Sequence, residues 1–391
     1  MNSFLIRAAS ITVGVGLTCL ALKPAQEQTT TSQIVSAANA FLSTLDDKQR
    51  QAVLYSFDDQ EQRQRWSNFP TGVVPRGGIS LKQMSEQQRA EAMHLLSIVL
   101  SPMGLEKVNE IRMADDDFKV NGSQHRRPGG GPPPGNNGPP NGPGGPPPQF
   151  ANGGPPPPRP GGPGGPRRGQ PFNPGDLFGS NLYYFSFVGK PSTTAPWILQ
   201  FGGHHLALNI TFAGNRDVMT PTLTGAQPAK FNVNGQTIRP VGRESDKALA
   251  LLKSLDEKQR EQAVLTYRVP DLVLGPGQDG KKIAPEGLKA SAMNKNQRGM
   301  LLDLISEWAG IINETAASAR MAQLKADLDD TWFAWSGPTN IEPGNNITAY
   351  YRIQGPHLVI EYAPQNDEPA NHVHTIYRDP TNDYGQQLTG K

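Results

Sequence analysis

The chain has 391 residues, with 37 basic and 35 acidic side chains and a formal charge of +2. So small a charge over this length leaves no basic stripe for a phosphate backbone, and composition excludes a nucleic-acid partner. Its 42 glycines and 37 prolines are unevenly placed: residues 128–171 hold 33 of them in 44 positions, and the remainder has ordinary globular proportions.

Arg7 precedes an apolar stretch from Ala8 to Leu22, which passes at Lys23-Pro24 into polar sequence. A stretch of fifteen residues is short for a bilayer span, and a positive charge before it fits a secretory signal. Residues 1–25 are therefore expected to be a signal peptide. The protein is expected to be secreted or periplasmic, with no stable membrane span after cleavage. Cys19, the only cysteine, lies in this stretch, so disulfides, Cys-ligated zinc and Cys nucleophiles drop out together.

The next elements come as repeats. Phe41–Arg50 (FLSTLDDKQR) recurs as Leu251–Arg260 (LLKSLDEKQR), and Met84–Arg89 (MSEQQR) as Met293–Arg298 (MNKNQR). All four end in an apolar residue, Asp, Ser or Asn, two further residues, then Gln-Arg. A short polar side chain with Gln three places later can satisfy two unpaired backbone N–H groups, so helices are predicted to start at about 46, 85, 256 and 294.

Within the first half, residues 128–171 have no Gly-X-Y period and too little apolar surface to offset ordering entropy, which predicts a disordered insert. Arg126, Arg127, Arg159, Arg167 and Arg168 make it locally basic and suited to weak contact with an anionic polymer.

Each half then turns to β-pattern. Tyr183–Phe187, Trp197–Phe201 and His204–Phe212 follow in the first, and Trp332–Trp335, Ala349–Gln354 and His357–Tyr362 in the second. Gly202-Gly203 and Gly355-Pro356 are the expected turns. The predicted fold class is α+β, internally duplicated and pseudo-twofold, with helices followed by a β-hairpin in each half. Residues 33–127 and 172–391 would form one domain with a shared core, split at about residue 240.

Five of the seven histidines lie in or beside three short β-segments. Aligning the hairpins pairs His205 with His357 and Asn209 with Glu361, and strand alternation places each pair on equivalent faces. His372 and His374 stand at i and i+2, about 6.5 Å apart on one face, a spacing that lets both rings converge on one ion. A third ring from His205 or His204 would complete a three-nitrogen site with open positions, so these four are the candidate ligands of a divalent metal ion. Glu361, about 13 Å along its strand from His357, suits a base better than a co-ligand. His357 is a candidate acid–base group or auxiliary ligand, Asn209 a substrate contact, and Asp379 or Asp383 a carboxylate orienting an imidazole. Arg76, Arg352 and Arg378 are candidates to clamp an anionic group. The competing structural role for these imidazoles is hydrogen bonding along a polar seam. There is no dinucleotide-binding, P-loop, nucleophile-elbow or His-Glu-x-x-His motif.

Trp66-Ser-Asn-Phe-Pro70, Arg76-Gly-Gly-Ile79, Gly202-Gly-His-His-Leu-Ala-Leu-Asn209, Pro285-Glu-Gly-Leu288, Tyr350-Tyr-Arg-Ile-Gln-Gly-Pro356, Asn371-His-Val-His374 and Arg378-Asp-Pro-Thr-Asn-Asp-Tyr-Gly385 together resemble the family called domain of unknown function 3500. The resemblance runs from about residue 35 to 385 and implies no reaction. The residues themselves point to an exported metal-dependent enzyme, hydrolytic or oxidative, acting on a small and anionic substrate. The alternative is a non-catalytic ligand- or metal-binding protein of the cell envelope.

Overall fold

The computed structural model describes residues 30–122, 177–342 and 344–390. The expected signal peptide and the Pro/Gly insert lie outside them. Among the described residues no helix is long and apolar enough to cross a membrane.

The repeated motifs start helices as their chemistry requires. Asp46, Ser85, Asp256 and Asn294 are N-caps in extended backbone, each accepting from the backbone N–H of the Gln three places on, and each Gln side chain returns to the cap's N–H. The helices so begun, Asp47–Val53 (α2), Glu86–Val99 (α3), Glu257–Ala263 (α6) and Lys295–Ala309 (α7), alternate in pairs with Thr30–Ser43 (α1), Pro102–Asn121 (α4), Gly242–Ser254 (α5) and Glu314–Ala326 (α8). The Gln side chains also join the capped helices to each other. Gln88 Nε2 donates to Gln49 Oε1 at 2.8 Å and to Thr44 O at 2.9 Å, and Gln297 Nε2 donates to Gln259 Oε1 and Ser254 O, both at 2.8 Å. The following Arg reaches back past its cap: Arg50 donates to Leu45 O at 3.0 Å and Arg260 to Leu255 O at 3.1 Å.

The principal strands are Tyr184–Val188 (β1), Trp197–Gly203 (β2), Leu206–Ala213 (β3), Arg216–Val218 (β4), Thr222–Ala226 (β5), Trp332–Ser336 (β6), Tyr350–Gly355 (β7), Leu358–Pro364 (β8) and Val373–Arg378 (β9). They belong to one 12-stranded sheet whose central order is β1-β2-β3-β5-β9-β8-β7-β6, with β4 paired to β3. Two-residue strands at its margins, Leu54–Tyr55 and Ile79–Ser80 on β1 and Leu288–Lys289 on β6, complete the sheet.

Strand alternation divides the sheet into unlike faces. Phe185, Leu199, Leu208, Phe333, Tyr351 and Ile360 join the helices in one apolar cluster that runs through both halves. The opposite face carries Ser186, Gln200, Asn209, Arg352, Glu361 and Arg378, all buried despite their polarity. They are covered by the chain between the helices. Gln62 Nε2 donates to Gln200 Oε1 at 2.9 Å, and the backbone N–H groups of Val273 and Leu274 donate to Glu361 at 2.9 and 2.8 Å. Most of the buried polar groups on this face thus meet a loop that hydrogen-bonds them, whereas Thr211 Oγ1, Arg352 Nε and Gln354 Oε1 find no partner among the described residues.

The hairpin turns fall later than the glycine pairs suggest. Gly202 and Gly203 are still paired in β2, opposite Ala207 and Leu206, and the turn is made by His204 and His205. In the second half Gly355 pairs with Leu358, and Pro356 and His357 make the turn. Close approach is what demands the glycines: a Cβ on Gly202 would stand 2.6 Å from Leu206 O, and one on Gly203 2.8 Å from Leu182 O. His205 and His357 are consequently turn residues rather than strand residues, and His205 adopts a left-handed φ of 57°.

Candidate metal centre

Three chain segments deliver the histidine cluster. His205 comes from the β2–β3 turn, His372 from the residue before β9, and His374 from within β9. β5 lies between β3 and β9, and its Gly225 is the register partner of His374. A Cβ there would meet Val373 O at 2.5 Å and the Cβ of His205 at 3.5 Å, so the missing side chain leaves the gap across which the two histidines meet.

The three Nε2 atoms form a nearly equilateral triangle. His205 to His372 is 3.1 Å, His205 to His374 is 3.1 Å, and His372 to His374 is 3.2 Å. An ion about 2.0–2.1 Å from each nitrogen requires nitrogen separations of about 3.3–3.4 Å in a tetrahedral site and about 2.8–3.0 Å on an octahedral face. The observed triangle lies between the two. Hydrogen bonding alone cannot satisfy it. Each neutral Nε2 is either donor or acceptor, so among three mutual neighbours at least one pair has like polarity. One cation at the centre makes all three acceptors at once. His205, His372 and His374 could therefore hold a metal ion.

Surrounding groups set the imidazoles for that use. His372 Nδ1 lies 3.0 Å from both carboxylate oxygens of Asp367, which places its proton on Nδ1 and turns the Nε2 lone pair toward the triangle. The same contact holds the Asp367 carboxyl below its ordinary range. Asp271 Oδ1 stands 3.6 Å from His374 Nδ1, too far for a hydrogen bond and close enough to favour that tautomer electrostatically. Burial, and then the neighbouring imidazoles, push the His205 pKa well below 6.5, and burial lowers that of His374, so both are neutral ligands at ordinary pH. Asn68 brings its amide nitrogen to 3.3 Å from His374 Nδ1 and 3.4 Å from Nε2. Arg76 fixes the loop that carries Asn68, donating to Ser67 O and Phe69 O at 2.7 Å and to Gly203 O at 2.9 Å.

His204 turns away from the triangle. Its Nδ1 is 2.7 Å from Asp115 Oδ1, and Tyr183 Oη lies 2.9 Å from Asp115 Oδ2. Its ring packs on that of His205 with centroids 3.6 Å apart. Asp115, His204 and His205 form a second group with ligand atoms close enough to hold a cation. Burial raises the Asp115 pKa despite its histidine partner.

The other expected site residues lie elsewhere. His357 Nδ1 pairs with Asp327 Oδ2 at 2.8 Å. Glu361 is fully buried, with its carboxylate accepting from Val273 N, Leu274 N and the Tyr350 hydroxyl, and burial raises its pKa. Asn209 links Gln200 Nε2 to Pro221 O within the sheet's polar face. Arg352 pairs with Glu286 at 2.7 Å. Arg378 donates to Leu274 O, Gly275 O, Asp279 and Asp383, with its guanidinium carbon 5.4 Å from the centre of the Trp66 ring. Asp379 pairs with Arg320 and Asp383 with Arg378. The arginines are thus occupied by the protein's own carbonyls and carboxylates.

Asp115, Asp271, Asp367, Asn68 and Gly225 escape a reading of the sequence because each lies far along the chain from its histidine or carries no ligand pattern. Asn68 alone belongs to a conspicuous motif, the Trp66–Pro70 run.

A family model described as "Protein of unknown function (DUF3500)" matches residues 27–386. No curated protein and no solved structure matched the chain.

Proposed function

The chain belongs to the DUF3500 family, and since that description carries no reaction, we propose from the geometry that it is a metal-dependent enzyme, hydrolytic or oxidative, acting on a small molecule. His205, His372 and His374 would hold one divalent transition-metal ion by their Nε2 atoms, leaving further coordination positions for water or substrate. The observation that carries this reading is the 3.1–3.2 Å triangle of Nε2 atoms. Such an ion supplies Lewis acidity or a nucleophilic hydroxide near neutral pH. Asp367 holds the His372 tautomer, and the amide of Asn68, beside His374, is positioned to contact what binds there. With Arg76, Arg352 and Arg378 committed internally, and Asp271 and Asp367 at 53% and 58% side-chain exposure near the histidines, the surroundings favour a neutral over an anionic substrate.

We further propose that the two halves arose by duplication, supported by the repeated capping boxes and by a strand order in which β1, β2 and β3 stand where β6, β7 and β8 stand at the other end. Export through an N-terminal signal peptide completes the reading, supported by the Arg7–Leu22 composition.

Elemental analysis of the purified full chain tests the centre. The expected result is near-stoichiometric transition metal, lost in a His372→Ala/His374→Ala variant whose cooperative melting is retained. Metal-loaded and chelated protein, assayed in parallel on chromogenic esters and phenolic reductants, then test catalysis: turnover that follows the metal supports an enzyme, and none with metal bound supports a binding protein. A wild-type chain that binds no metal overturns both.

A further inference from the structure

His205 differs from its two partners in how its ring is held. His372 is fixed through Nδ1 by Asp367, and His374 Nδ1 has Asp271 and Asn68 beside it. His205 Nδ1 is buried with no hydrogen-bond partner among the described residues. No hydrogen bond at that nitrogen sets the plane of the ring. The backbone is held at φ 57°, a conformation that persists in a residue with a Cβ only where the surroundings over-determine it. Packing has to supply both constraints.

His204 supplies them. Its ring lies on that of His205 with centroids 3.6 Å apart and planes 33° from parallel. The His204 ring is itself fixed from outside the turn. Its Nδ1 stands 2.7 Å from Asp115 Oδ1, a carboxylate delivered by α4 from 89 positions earlier in the chain. Phe178 meets the ring edge-on with centroids 5.0 Å apart, and Phe118 of α4 backs Phe178 at 4.7 Å. Tyr183 ties the ring to the backbone: its Oη is 2.9 Å from Asp115 Oδ2 and 2.8 Å from His204 O, the carbonyl of the peptide that leads into His205. The tyrosine ring comes this close because a glycine precedes the turn, where a Cβ on Gly203 would stand 3.0 Å from Tyr183 Cγ. Asp115, Phe178, Tyr183 and His204 are all buried, so bulk water does not compete for these contacts.

We propose that His204 is a positioning residue: locked by Asp115 and Tyr183, its ring is the platform that sets the His205 imidazole plane and aims Nε2 at the ion, and no nitrogen of His204 binds the ion itself. The inference rests on the metal reading of the triangle. Two adjacent histidines thus divide the work, the second binding and the first aiming it. A platform acts by shape, so another flat ring serves in its place, whereas a ligand needs its nitrogen. That difference separates this role from the one in which Asp115, His204 and His205 hold a second cation.

Loading of the full chain with Co²⁺, followed by visible absorption and by competition against a chromophoric chelator, tests the assignment. Wild type is expected to bind one ion. His204→Ala should weaken binding at least tenfold and change the shape of the cobalt bands, the size usual for residues that orient a ligand. His204→Phe should restore both the affinity, to within about threefold, and the wild-type spectrum. Tyr183→Phe, which removes one oxygen and leaves the ring pair in place, should weaken binding at least threefold, and it keeps the test where a His204 variant fails to melt cooperatively. Unchanged affinity and spectrum in His204→Ala and Tyr183→Phe, with only the melting temperature lowered, would show a purely structural role and overturn the proposal. So would a loss in a folded His204→Phe as large as in His204→Ala, or two ions per wild-type chain, either of which makes His204 a ligand. A wild type that takes up no cobalt removes the centre and this role with it, whereas one that takes it up while the variants match it defeats this inference alone.

Discussion

His205 and His374 meet across a strand that belongs to neither of them: Gly225 of β5 is the register partner of His374, and the two Nε2 atoms lie 3.1 Å apart. Two strands in a sheet with one between them are about 9.5 Å apart, so their side chains touch only where the intervening residue has none. Gly225→Ala places a Cβ 2.5 Å from Val373 O, a backbone atom that can move only with β9. Such overpacking costs about 1–3 kcal/mol. The expected outcome is a lower denaturation midpoint and at least a tenfold loss of metal affinity, read by urea titration and elemental analysis.

Asp367 would act on a bound metal only through His372. Carboxylates in this position are worth about 10–100-fold in metal affinity, and Asp367→Asn should cost that much while leaving one ion per chain at saturation. Asp271→Asn should cost less, because Asp271 stands 3.6 Å from its histidine. Competition against a chromophoric chelator ranks the two.

Asp217 gives a pH dependence of definite sign. Its folded pKa of about 6 lies above the unfolded value of 3.8, so between those values the native state binds more protons than the unfolded one. Its cost to stability is absent below about pH 4, grows toward pH 6 and is complete above, reaching at most about 3 kcal/mol. Asp217→Asn should therefore melt above wild type at pH 7.5 and with it at pH 4. A difference of opposite sign at pH 7.5 would show the carboxylate to be stabilised by a charge partner.

The reciprocal glutamines should be as important as core residues of similar size. Gln88→Ala removes the donor to Thr44 O and to Gln49 Oε1, and Gln297→Ala removes the donor to Ser254 O and to Gln259 Oε1. Each is expected to cost about 1–3 kcal/mol in denaturant unfolding, with metal content unchanged. A loss below about 0.5 kcal/mol, the size usual for surface substitutions, would show that water replaces the pair.

Local chemistry was legible where one short segment contained the whole interaction. The capping boxes at Asp46, Ser85, Asp256 and Asn294 need only four consecutive residues, and all four helices begin where those residues say. Alternation likewise sorted Asn209 and Glu361 onto the polar face, because period two is a property of the strand itself. The hairpin turns were displaced because glycine serves close packing as readily as a turn, and only the neighbouring Leu206 O and Leu182 O reveal which.

The sequence by itself determined the α+β class and the helix starts, and narrowed the histidine cluster to His372 and His374 with His204 or His205. Tertiary structure alone decided what surrounds them. Whether Glu361 or Arg378 is free for chemistry depends on loops that arrive from 80 to 105 residues away, and it is the backbone of Val273, Leu274 and Gly275 that engages them. Asp271 meets His374 for the same reason, whereas Asp367 reaches His372 from only five residues before it. Charge and hydrogen-bonding capacity are written in the residue, but the partner that satisfies them is chosen by the fold.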